Sequence, residues 1–108
     1  MDVCNGVNCP RRFYGNSEFI GECFQKLGKW IVSCHAKDLQ WIEELNVHFL
    51  EVAPGKGQID YRRYLGELNR LPSDTPLMIE HLKTAEEYDG AAAYIRSVAR
   101  EMGISFAS

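Results

Sequence analysis

Two short apolar runs, Trp30-Ile31-Val32-Ser33-Cys34 and Pro76-Leu77-Met78-Ile79, lie among segments with helical spacing, and this alternation constrains the fold more than any other feature. Strands joined through helices run parallel, and parallel sheets are nearly always covered on both faces by the rest of an α/β domain. Two such strands cannot supply that sheet, and a small open sandwich would leave apolar strand faces wet. The expected fold class is therefore α/β, with residues 1–108 as one portion of a larger domain whose N-terminal part is missing.

The helical segments are legible from their ends. Phe19, Ile20, Cys23, Phe24 and Leu27 form one face that starts near Asn16 and stops at Gly28. Asp60 precedes Tyr61, Tyr64, Leu65 and Leu68 as an N-cap, and Pro72-Ser73-Asp74 closes that segment. Thr84 and Glu87 form a capping box ahead of a stripe through Tyr88, Ala91, Ala92, Ile95, Val98, Ala99 and Met102 that ends at Gly103. Leu39, Trp41, Ile42 and Leu45 predict a short helix over 38–46, followed by an extended stretch over 47–52 and a turn at Pro54-Gly55-Lys56-Gly57. The region from Asp38 to Gly57 reads as a long functional loop.

Composition excludes several classes. A net charge of -3, with both signs spread along the chain, argues against a nucleic-acid surface. No apolar run approaches the roughly 18 residues of a membrane span, and the N-terminus lacks a secretion-signal layout, so a cytoplasmic address is expected. The cysteines, Cys4, Cys9, Cys23 and Cys34, follow no paired spacing and read as reduced and structural. A zinc site through Cys4 and Cys9 would lack a second pair.

In parallel α/β folds reactive groups sit at the C-terminal ends of strands. Here His35 and Glu80 stand at the ends of the two predicted strands and would project into one mouth. An imidazole nitrogen and a carboxylate oxygen together suit a divalent cation; a satisfied histidine and a solvated glutamate would leave the same pattern.

The wider wording is more specific. Ser33-Cys34-His35-Ala36-Lys37-Asp38, the stretch from Glu51 to Tyr61 around Pro54-Gly55-Lys56-Gly57, and Met78-Ile79-Glu80-His81 occur in an order that resembles the sugar phosphate isomerases/epimerases of the xylose isomerase-like superfamily. The likeness begins at Asp2 and corresponds to the C-terminal part of a (β/α)8 TIM barrel, about strands six to eight, that is, an incomplete barrel. It implies Asp2, His35 and Glu80 as metal ligands and Glu80 as the carboxylate that moves a proton on carbon. A fourth ligand, a Glu from an earlier strand, has no counterpart in this chain. The implied metal is Mn²⁺, Mg²⁺ or Co²⁺ rather than Zn²⁺, the substrate a sugar or sugar phosphate handled through an enediolate, and the intact enzyme a candidate homo-oligomer. This portion alone would be inactive.

Two departures bear on substrate. Where characterised ketose epimerases of this family carry an Arg, this chain has Glu51, which either binds a sugar hydroxyl or pairs with Lys37 or Lys56. Where apurinic endonucleases of the superfamily carry Asp-Arg-His, it has Phe49-Leu50-Glu51, and Asn5 stands in place of another His, so that alternative loses zinc ligands. Lys37 and Asp38 follow the histidine and either touch substrate or remain solvated. Lys56 belongs either to a phosphate nest or to a tight turn. His48 falls in a loop or edge segment, His81 on the opposite side of the strand from Glu80, and Trp41 packs or stacks on a sugar. An inactive remnant, or a metal-dependent hydrolase or lyase of the same superfamily, is the alternative reading.

Overall fold

A computed structural model describes residues 1–2, 6, 10–42, 48–71 and 75–106. Pro10–Tyr14 (α1) leads into Asn16–Leu27 (α2), which ends at Gly28 as its apolar spacing predicts and buries Ile20 and Phe24. The expected first strand then begins late. Ile31 donates its N–H to the Gly28 carbonyl, closing a 3-10 turn over Gly28–Trp30 that leaves Trp30 at 70% and Val32 at 84% exposure. Ladder bonding starts only at Cys34, whose N–H reaches the Pro76 carbonyl at 2.9 Å, and β1 is Cys34–Ala36. His35 is thus mid-strand rather than beyond its end.

Leu77–Ile79 (β4) pairs parallel with β1, setting Cys34 opposite Leu77, His35 opposite Met78 and Ala36 opposite Ile79. Along the other edge of β1, the Met1 amino group donates to the Ser33 carbonyl and the Met1 carbonyl accepts from the His35 N–H, which is the bonding of a parallel neighbour. Alternation then sorts the two faces. Cys34, Ala36, Leu77 and Ile79 join Tyr64, Leu65, Ile95 and Ala99 in the core beneath the helices. On the opposite face stand His35 and Met78, the latter 44% exposed.

The predicted helix over 38–46 is a strand over its described part. Asp38–Ile42 (β2) pairs antiparallel with His48–Val52 (β3), the extended stretch expected there, and residues 43–47 lie outside the described ones. Short apolar runs do not distinguish the two periods, and the partner decides. Trp41 faces Phe49 across the ladder with ring centroids 5.3 Å apart, and both rings meet Phe13 from α1. Trp41 therefore serves packing, as the first of its two alternatives.

Tyr61–Asn69 (α3) is capped by the Asp60 carboxylate, which accepts the Arg63 N–H at 2.9 Å. Pro72-Ser73-Asp74, its predicted stop, lies outside the described residues. Ala85–Glu101 (α4) is capped by Thr84 Oγ1, which accepts the Glu87 N–H; the Glu87 carboxylate returns to the N–H of Lys83, one residue before the usual box position. α3 also braces β1 from below. The Tyr64 hydroxyl donates to the His35 carbonyl at 2.9 Å and the Tyr61 hydroxyl to that of Lys37. Among the described residues, no helix is long and apolar enough to cross a membrane.

Candidate metal centre

The open sheet face gathers its polar groups at one place. The Met1 pairing sets Asp2 level with His35, and Glu80 follows β4 directly, so three neighbouring segments each deliver one group. His35 Nδ1 lies 2.9 Å from Glu80 Oε1 and 3.8 Å from Asp2 Oδ2, and one ligand atom from each residue falls within 4.8 Å of the others. Oxygen and nitrogen donors around a small divalent cation at ~2.1 Å stand about 3–4 Å apart, so this donor set fits one. Two carboxylates and one imidazole favour a borderline-to-hard cation over a thiophilic one.

Lys37 turns into the same place. With its side chain only 5% exposed, its Nζ lies 2.7 Å from Asp2 Oδ2 and 3.1 Å from Glu80 Oε1, with Glu51 Oε1 at 4.0 Å. Burial, the largest influence on its pKa, acts to lower it; the hydrogen bonds to Asp2 and Glu80 and the nearby charges outweigh burial and drive it well above the usual lysine range. The two carboxylates thus favour the charged ammonium. Glu51, from β3, also meets His81: His81 Nδ1 lies 3.1 Å from Glu51 Oε1 and its Nε2 3.9 Å from Glu80 Oε1.

No protein-family model, curated protein or solved structure matches the chain. Its functional reading thus rests on the geometry and on the motif resemblance.

Of the residues singled out in the sequence, Asp2, His35, Glu80, Lys37 and Glu51 come together, whereas Asp38 and Lys56 do not. Asp38 is 1% exposed and does not face the cluster's solvent side; its Oδ1 accepts the N–H groups of Leu39 and Ile59 and its Oδ2 those of Gly55 and Gly57. Burial raises its pKa while these N–H bonds pull it down. Asp38 therefore acts as a clamp on the turn. The clamp also disposes of the phosphate-nest alternative, because the Gly55 and Gly57 N–H groups are already spent on a carboxylate. Lys56 is exposed at the tip of that turn and lines a separate groove with Thr84 and Glu87.

His81 is the residue that alternation misplaces. Its φ of 64° breaks the strand's alternation directly after Glu80 and turns the ring toward Glu51 instead of away from the site. A conformation uncommon for a residue with a side chain leaves no mark in a single sequence. The burial of Lys37 did carry a signal: it lies two residues after His35, on the same face of an extended chain. Cys4, Cys9 and the side chain of His48 lie outside the described residues; Cys23 and Cys34 are free thiols, and burial is the main cause that raises the pKa of both.

Proposed function

We propose that this chain carries most of the metal site of a sugar or sugar phosphate isomerase/epimerase and forms the C-terminal part of an incomplete (β/α)8 barrel. The observation that carries the proposal is the convergence of Asp2, His35 and Glu80 from three parallel-running neighbours onto one open sheet face. Parallel sheets are rarely left bare on one side, and exposed Met78 on that face is an apolar surface that further strands would cover. The resemblance in motif order supports the same assignment.

Asp2, His35 and Glu80 would hold a divalent cation such as Mn²⁺, Mg²⁺ or Co²⁺. When bound, it supplies a positive centre for two adjacent sugar oxygens and lowers the cost of negative charge on them. The remaining work falls to the chain's side chains. Glu80 takes a proton from one carbon and returns it to the neighbouring carbon on the same face, whereas protonation from the opposite face falls to a second carboxylate. Lys37 and Glu51 line the same mouth and are the groups placed to meet sugar hydroxyls. The second carboxylate that such a proton transfer requires, and the fourth ligand, would come from the segments that cover the open face.

Titration calorimetry with Mn²⁺ and deuterium wash-in from solvent into a panel of ketoses and their phosphates test this on the chain joined to its covering segments. His35→Ala should lower Mn²⁺ affinity at least tenfold, and Glu80→Gln should abolish wash-in while the far-UV circular dichroism stays unchanged. Unaltered Mn²⁺ affinity in His35→Ala, or an active Glu80→Gln, would remove the assignment.

A further inference from the structure

We infer that Lys37 is the resident cation of this site, holding with its ammonium the carboxylate oxygens that a metal ion would take, so that metal binds only when Lys37 moves over to Glu51. The inference rests on the metal-site proposal above and adds to it the residue that sets the site's affinity.

The geometry is a shared-ligand arrangement. The very oxygens that face His35 Nδ1, Asp2 Oδ2 and Glu80 Oε1, are the two closest partners of Lys37 Nζ, at 2.7 and 3.1 Å. Two cations on the same pair of oxygens would stand within a few ångströms of each other in a half-buried pocket, where repulsion is weakly screened. One of them must leave. Lys37 is anchored through its main chain, since its carbonyl accepts the Tyr61 hydroxyl, and the ammonium sits at the end of a four-carbon side chain that can change rotamer about that anchor. Glu51 Oε1, already 4.0 Å from the ammonium and on the separate strand β3, is the carboxylate within reach that belongs to neither Asp2 nor Glu80. A shift of about an ångström toward Glu51 would turn this contact into a direct ion pair, and a change of side-chain rotamer carries the ammonium the rest of the way off both shared oxygens.

The arrangement also explains how three acidic side chains coexist around one half-buried point. With Asp2, Glu51 and Glu80 all ionised, Lys37 is the central positive charge among them, and its low exposure marks it as part of the cluster rather than as a solvated lysine. The site therefore holds a cation in both states, and metal binding is an exchange.

Mn²⁺ titration of the full chain, followed by the electron paramagnetic resonance signal of free Mn²⁺, provides the test. Lys37→Met should raise Mn²⁺ affinity roughly ten- to a hundredfold and bring binding into range even where that of the unsubstituted chain is too weak to measure. Glu51→Gln should weaken binding when Lys37 is present and change it far less in the Lys37→Met background, a non-additivity that mere loss of negative charge would not give. Should Lys37→Met fail to fold, Lys37→Gln replaces it, and acetylation rates followed by mass spectrometry address the unsubstituted protein: Lys37 should react slowest among the lysines without metal and faster at saturating Mn²⁺. Equal or weaker binding by the Lys37 variants, additive effects of the two substitutions, or an acetylation rate that stays level or falls with Mn²⁺ would overturn the inference while leaving a metal site that His35→Ala still weakens. Absence of Mn²⁺ binding by every form of the chain, Lys37→Met included, would overturn the inference, and the same absence in the chain joined to its covering segments would overturn both.

Discussion

Replacing Asp38 by Asn tests whether its carboxylate holds the turn around Gly55 and Gly57. The carboxylate accepts four N–H bonds between 2.9 and 3.1 Å, two on each oxygen. An amide keeps one oxygen, enough for Leu39 and Ile59, and places an NH₂ group against the N–H groups of Gly55 and Gly57. Each buried donor left without an acceptor costs about 1–3 kcal/mol, and the two glycine donors are only partly buried, which places both near the low end. The two surviving bonds pass from a charged to a neutral acceptor and weaken, while the relieved desolvation of the charge recovers part of the loss. The net expectation is a destabilisation of about 3 kcal/mol, a large fraction of the ~5–15 kcal/mol that holds a domain together. Urea unfolding followed by tryptophan fluorescence reads it as a lower midpoint at constant slope, with Trp41 reporting from the adjoining hairpin. A loss below about 1 kcal/mol would refute the clamp, and the same result together with weakened sugar binding would restore Asp38 to the substrate site.

Three further outcomes follow from the same region and from the core. Gly57→Ala should destabilise by about 2 kcal/mol or more in the same urea assay, because its Cβ would lie 2.3 Å from the Leu39 carbonyl oxygen and 2.5 Å from Asp38 Oδ1, neither of which can retreat. Gly55→Ala should cost a similar amount through its φ of 96° and the Tyr94 ring 2.7 Å from the added carbon; a neutral effect of both would mean that the turn does not sit on the clamp. Cys34, with no exposed surface, should resist a thiol reagent in the folded protein while half-buried Cys23 reacts, as read by mass spectrometry of the labelled peptides. Comparable labelling of the two would place β1 outside the core.

Local chemistry made part of this protein readable in one dimension. Asp60 and Thr84 cap the helices they precede, Gly28 ends α2, and Leu77–Ile79 forms the strand expected of it, because each depends on groups within a few residues. The segment from Asp38 has an apolar spacing that fits either period, and only pairing with His48–Val52 selects the strand over the helix. The first strand begins later than its β-forming residues do, because such residues need a partner and bonding to the β4 segment begins at Cys34.

The candidate site divides along the same line. Sequence alone determined that a histidine and a glutamate accompany successive strands, and motif resemblance added Asp2. Only the tertiary structure decided that Lys37 enters the carboxylate cluster, that Asp38 turns away to clamp Gly55, Gly57 and Ile59, and that His81 folds back onto Glu51. Capping and periodicity are set by neighbours in the chain. The environment of a charged side chain is set by residues far along the chain, 43 positions apart for Lys37 and Glu80, and the choice between solvent and partner is an energy balance that exists only once those residues have been brought together.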